Sequence, residues 1–276
     1  MEPVLLAALM VIAVGAGIIG ALFGLGGGII FVPVLTILFG LDATAAAAAS
    51  LVGVVATSTG TASSYVEKGL SNIRLGMLLE ITTSIGAIAG AVIAAYLDNW
   101  ILFCIFAAVM FYSGIKMAAK PERKISPEDI ENGSDMTFTF VDPAETVPEQ
   151  TYTVKHAKGG VALCTFAGMI SSMTGVGGGA IKVPLMNLYM HIPIKAASAT
   201  SNYMIGITAF SGAIIYMIEG AVILDVACAV AVGAFVGAVI GTKISARTNA
   251  ASLKKYMSVV FFAVAILMLL KAGGIL

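Results

Sequence analysis

Residues 20–35 read GALFGLGGGIIFVPVL, and residues 171–186 read SSMTGVGGGAIKVPLM. Each stretch places three consecutive glycines, then a Val-Pro pair, inside a run apolar enough for a lipid bilayer. A glycine costs a helix interior about 1 kcal/mol relative to alanine, and backbone is most expensive to bare where no water reaches it. A chain that weakens its helix twice in the same manner has a use for the interruption.

The surroundings fix the class. Of 276 residues, 59% are hydrophobic and 11% are charged, and mean hydropathy is +1.01; soluble domains carry about 25% charged residues. Several apolar stretches reach the ~20 residues that cross ~30 Å of hydrocarbon. The expectation is an all-α polytopic membrane protein, multi-pass in the cell (plasma) membrane, with the lipid bilayer as its partner. Net charge is zero and the pI is near 6.7, so neither nucleic acid nor a polybasic membrane anchor is indicated. Cys104, Cys164 and Cys228 are scattered through apolar runs and read as small packing residues rather than disulfide partners or metal ligands. The N-terminal stretch carries Glu2 instead of a positive n-region, so it reads as part of the mature fold rather than a leader.

Laying Pro33 on Pro184, an offset of 151, aligns much more than the prolines. Gly17, Gly24 and Gly26–Gly28 fall on Gly168, Gly175 and Gly177–Gly179, and Ser50, Thr57, Tyr65 and Gly69 fall on Ser201, Thr208, Tyr216 and Gly220. The chain reads as one unit written twice: 1–118, then a polar linker 119–157, then 158–276. Each unit has a glycine-broken apolar segment (about 4–39 and 158–190) and three long helices. These are about 43–65, 73–97 and 100–118 in the first unit, and about 195–218, 223–245 and 253–271 in the second. In the linker, MTFTFVD and TYTVKH alternate at period two around a Pro/Glu-rich stretch, which suits either a small solvent-exposed β-hairpin or a plain linker.

Lys and Arg favour the cytoplasmic side. The loop after the first long helix carries Lys68 and Arg74 in unit one but Glu219 and Asp225 in unit two. The next loop carries Asp98 in unit one but Lys243, Arg247, Lys254 and Lys255 in unit two. Corresponding loops thus face opposite sides, which predicts inverted repeats with an odd number of crossings each. The linker, with Lys116, Lys120, Arg123 and Lys124, is then cytoplasmic and both termini lie outside.

A helix restarting after three glycines offers unpaired amide hydrogens and a positive dipole end, which favour an anion; packing of small residues is the other use of such glycines. Gly26, Gly27, Gly28, Gly177, Gly178 and Gly179 are therefore candidate anion ligands. Lys182 stands where the first unit has Phe31, with no acid nearby in sequence. A bound anion would partner it, unless the side chain reaches an interface. Ser201 and Asn202, with Thr208, offer further donors, and Ser50, Thr57 and Ser58 are their first-unit counterparts, although such hydroxyls also bond their own helix. Glu80 is the one acid inside an apolar helix; it either carries a coupling proton or pairs with Arg74 near an interface. His156 and His191 lie near predicted loops, and neither an acid pair nor metal-ligand spacing is present, so catalysis, a metal and a cofactor are not expected.

The paired GLGGGIIFVPVL and GVGGGAIKVPLM, with ATSNYMIGITA after the second, resemble the TauE/SafE family of sulfite and organosulfur-anion exporters and permeases. The resemblance covers most of the chain outside 119–157. It implies a secondary transporter of a small sulfur-containing anion by alternating access. An anion-selective channel built from the same two glycine breaks is the alternative. Oligomeric state, anion and direction are not legible.

Overall fold

The computed structural model describes residues 3–119, 136–141, 149–245, 248 and 250–275. Expectations that rest on Glu2, Lys120, Arg123, Lys124 and Arg247 lie outside them. The described chain is mostly helical: α1 (Pro3–Phe23), α2 (Gly28–Pro33), α3 (Ala43–Glu67), α4 (Ile73–Ala94), α5 (Asn99–Ala119), α6 (Ala157–Thr174), α7 (Gly179–Pro184), α8 (Ile194–Ile218), α9 (Leu224–Ser245) and α10 (Ala250–Ala272). Seven of these are long and apolar enough to cross a membrane. Outward-facing residues such as Met77, Ile81, Phe210, Phe235 and Leu267 are large and apolar, as a lipid-facing surface requires. Two helices start on side-chain caps: Asp42 accepts from the Ala45 amide at 2.8 Å, and Asn72 from the Leu75 amide at 3.0 Å.

Glycines decide which helices touch. A Cβ on Gly237 would collide with the Val14 carbonyl, and one on Gly241 with that of Ile18, so α1 and α9 lie backbone to backbone and parallel. One repeat away, Gly86 meets the Thr165 carbonyl and Gly90 that of Met169, which makes α4 and α6 the same pair. Gly53 faces Val230 and Gly60 faces Ala238, so α3 also runs with α9. Because α1 and α3 share one direction, the helix between them must carry the chain back.

That return is made at the glycines. Gly24, Gly26 and Gly27 have φ of +73°, +71° and +77°, and Gly175, Gly177 and Gly178 have +72°, +78° and +89°, a region that costs other residues about 1–2 kcal/mol each. After each turn a short helix follows, α2 or α7. Pro33 and Pro184 withhold a backbone donor, and the helices continue as π turns over Val34–Leu38 and Leu185–Tyr189. The glycine segments are therefore helical hairpins rather than kinks within one span.

The central helices cross the other way. Leu51 meets Gly212, and Ser58 meets Gly206 and donates to the Asn202 carbonyl at 2.6 Å, so α3 and α8 are antiparallel. The peripheral pair α5 and α10 is antiparallel too: Phe111 stacks edge-on against Phe262 at 5.6 Å, and Ser258 donates to the Gly114 carbonyl at 3.3 Å.

Two strands, β1 (Thr137–Val141) and β2 (Glu149–Thr153), pair antiparallel with Phe138 opposite Tyr152. They are not solvent-exposed throughout. Phe140, Tyr152 and Val154 are buried, Asn72 Nδ2 donates to the Tyr152 hydroxyl at 3.2 Å, and the Lys155 amide donates to the Met190 carbonyl at 3.1 Å. These bonds tie the hairpin to the start of α4 and to the turn that precedes α8. Among the cysteines, Cys164 is buried as expected, whereas Cys228 faces outward.

Candidate functional site

The two hairpin tips meet. A Cβ on Gly28 would strike the Gly175 carbonyl and Val176, and one on Gly179 the Gly24 carbonyl and Leu25. Val54 of α3 and Ile205 of α8 both press on Gly26, and both press again on Gly177. Gly24–Gly28 and Gly175–Gly179 are buried throughout, so in this conformation the tips are close-packed.

Serines brace the tips from the opposite repeat. Ser50 Oγ donates to the Gly175 carbonyl at 2.6 Å, and Ser201 Oγ donates to the Gly24 carbonyl at 2.9 Å. Asn202 Nδ2 donates to the Ala21 carbonyl at 3.0 Å. The two serines engage carbonyls of the turns, and Asn202 shares the Ala21 carbonyl with the Tyr65 hydroxyl, which donates to it at 2.8 Å. Thr57 donates to Gly53 within its own helix at 3.0 Å. Around the same tips, Ser171 Oγ, Ser172 Oγ, Ser198 Oγ and Asn202 Oδ1 are buried without a hydrogen-bond partner among the described residues. Ser171 abuts Gly178, and Ser198 abuts Gly24. Buried polar atoms are normally satisfied, so a cluster of exceptions here marks hydrogen-bonding capacity. SSMT directly precedes the second glycine set, and that proximity was the available sequence signal for Ser171 and Ser172. Ser198 carried no such signal.

Lys182, the fourth residue of α7, is 0% exposed. Its Nζ lies 3.1 Å from Glu80 Oε2 and donates to Thr208 Oγ1 at 2.5 Å. Thr208 donates in turn to Glu80 Oε1 at 2.5 Å, and Ser84 donates to the same oxygen at 3.1 Å. Two expectations are corrected here. Lys182 has an acid partner, 102 residues away in sequence, and Glu80 pairs with it rather than with Arg74, as a carboxylate buried to 4% exposure. The parallel packing of α4 on α8, seen where Gly76 faces Tyr203, brings the charges together. Removing one member of such a buried pair costs about 3–5 kcal/mol.

Glu80 also has an outer side. A groove of about 620 Å³ between α4 and α8 is lined by Arg74, Glu80, Ser84, Tyr203, Ile207 and, from the strand hairpin, Met136. Lys254, expected in a charged loop, is instead buried and donates to Asn187 Oδ1 at 2.9 Å. His156 and His191 stand outside the tips at positive φ, with their rings 6.0 Å apart. Among the described residues no group of three His, Cys, Asp or Glu could hold a metal ion.

The chain is 28% identical over 264 residues to a probable membrane transporter protein, YunE, of Bacillus subtilis, covering 91% of this chain and 93% of that one. It is 23% identical over 272 residues to a probable membrane transporter protein of Haemophilus influenzae, covering 93% of each. It is also 24% identical over 225 residues to the probable membrane transporter protein MJ0441 of Methanocaldococcus jannaschii, covering 77% and 73%. No solved structure matches significantly. The family model described as sulfite exporter TauE/SafE matches residues 9–268. A multi-pass helical protein with a buried ion pair beside two abutting glycine hairpins, and with relatives named as transporters rather than enzymes, this chain belongs to the sulfite exporter TauE/SafE family of membrane transporters.

Proposed function

We propose that this protein is a secondary transporter of a small sulfur-containing anion (sulfite, a sulfonate or a related organosulfur anion), bound at the two hairpin tips and carried by alternating access. Residues 1–118 and 158–276 act as inverted repeats joined by the linker 119–157. Two features support the inversion. Contacts recur at the 151-residue offset across the whole bundle, and the mates α3 and α8 cross antiparallel. A two-fold axis perpendicular to two helices relates them this way, whereas one along the helices would leave them parallel. Transporters built on this plan bind their substrate between discontinuous helices at the repeat interface.

The observation that carries the reading is Lys182, a fully buried cation at a glycine hairpin tip. The ammonium binds the anion, and Ser201, Ser50 and Asn202 with the amides of Gly26–Gly28 and Gly177–Gly179 complete its shell once the tips part. Glu80 is the coupling group.

The test is uptake into proteoliposomes of sulfite, sulfate, thiosulfate and sulfoacetate, with a carboxylate as control. Saturable uptake of at least one sulfur anion is expected, and Lys182→Ala should lower it by tenfold or more, about the worth of a charged hydrogen bond. Unchanged flux in correctly folded Lys182→Ala protein, or single-channel conductance, would refute the reading.

A further inference from the structure

We infer that Glu80 is a resident counter-ion which the substrate replaces, so that one proton travels with each singly charged anion. This rests on the transporter reading above and adds its stoichiometry.

The inference follows from charge in a closed space. Lys182 and Glu80 together are neutral and almost fully removed from solvent. An anion placed on Lys182 while Glu80 stays ionised would leave two negative charges against one positive, in surroundings that screen poorly. Adding a proton to a Glu80 carboxylate oxygen restores neutrality: ammonium, substrate anion and neutral carboxylic acid. No covalent bond other than that O–H is made. The site is then neutral both empty and loaded, and each transition between the two moves a proton and an anion together.

The cluster can hold the proton without losing a hydrogen bond. Thr208, which donates to Glu80 when the carboxylate is charged, can accept from the acid by turning its own hydrogen to the Met204 carbonyl, 3.4 Å away. The two cargoes also have separate approaches. The Lys182 stem lies against Gly178 of the second hairpin tip, while Glu80 and Ser84 line the groove between α4 and α8. The other titratable groups packed against Glu80 are Lys182 from α7 and Cys164 from α6; Arg74, exposed on its own helix, and Tyr203 of α8 line the same groove. No second acid joins them among the described residues. The repeat mate of Glu80 is Ala231, so the cycle has one proton site, not two.

Methanesulfonate is a suitable probe because it stays singly charged at every working pH, so no proton can ride on it; sulfite is run in parallel. In wild-type proteoliposomes a one-unit pH gradient should drive accumulation toward about tenfold, and clamping the voltage should not alter it. Glu80→Gln, which keeps Lys182 available, should lose this accumulation, exchange methanesulfonate for methanesulfonate with a flat pH profile, and bind methanesulfonate more tightly than wild type at alkaline pH. Accumulation by Glu80→Gln equal to wild type, wild-type uptake without proton co-movement, or a folded Glu80→Gln that binds no methanesulfonate would each overturn the inference and the coupling role of Glu80, while leaving anion transport at Lys182 and the hairpin tips intact. If Glu80→Gln fails to fold, Glu80→Asp must retain coupling with a displaced pH midpoint, and an undisplaced one overturns the inference. Wild-type protein that moves none of the anions would instead overturn the transporter reading.

Discussion

Lys182 of the second hairpin stands where the first hairpin carries Phe31, and Glu80 of the first repeat stands where the second carries Ala231. The backbones around them match closely: both tips turn through glycines at positive φ, and both press on Val54 and Ile205. The chemistry does not match. On one side Thr208 relays a hydrogen bond between ammonium and carboxylate. On the other, Thr57 turns back to its own helix, and the Phe31 ring lies against Gly27 and Gly53 with Val230 beside it. The same scaffold therefore tolerates either a ring or an ion pair. The charge stands in only one of the two hairpins, so the glycine turn itself does not require it.

The largest expected effect comes from forcing the apolar side to resemble the charged one. Phe31→Lys places an ammonium in a closed site whose repeat-related acid position is alanine, and should lower stability by about 3–5 kcal/mol, read as detergent-solubilised thermal unfolding. Adding Ala231→Glu should recover part of that loss; if Phe31→Lys is as stable as wild type, the contrast between the sides is not electrostatic. The reverse change is gentler. Lys182→Met strands the Glu80 carboxylate and should cost about 3 kcal/mol, whereas Lys182→Met with Glu80→Gln should regain most of it, because apolar replacements of buried pairs are often neutral. A double variant no more stable than the single would show that the pair is not coupled. The smallest effect lies outside the tips. Tyr152→Phe removes the bond from Asn72 and should loosen the strand hairpin by about 1 kcal/mol, visible as faster proteolysis there with unchanged global unfolding. Burial pushes the Tyr152 phenol from 10.0 to about 12. A raised value favours the neutral form in the docked state, so this contribution is intact below pH 10 and is lost as pH climbs toward 12. Tyr152→Phe should abolish that alkaline loosening.

Much of the architecture was legible because a bilayer narrows the choices. Long apolar runs became helices within a few residues of their expected ends: 195–218 is Ile194–Ile218, and 223–245 is Leu224–Ser245. The period-two stretches became paired strands, but their docking was not legible, since nothing near Tyr152 in sequence names Asn72 as its partner. The glycines announced that the helix stops. They did not announce that the chain turns back, because direction is set by α9 packing against both α1 and α3. Lys182 was conspicuous as a lone cation, yet its partner lies on another repeat, and a pairing between distant helices leaves no trace in local spacing. Ser50 and Ser201 were picked out as donors; their engagement with turn carbonyls depends on the tips touching, which again is long-range.

The serine braces bear on how the protein is made. The carbonyl of Gly24 is held by Ser201, a residue 177 positions later, so at about 5–20 residues per second the ribosome takes roughly 10–35 s to deliver it. Through that interval the turn of the first hairpin lacks its Ser201 brace, whereas Ser50 is already made when the second hairpin emerges. Insertion of the early helices thus leaves the protein unfinished, and biogenesis completes when the two halves clasp, each holding the other's loose end.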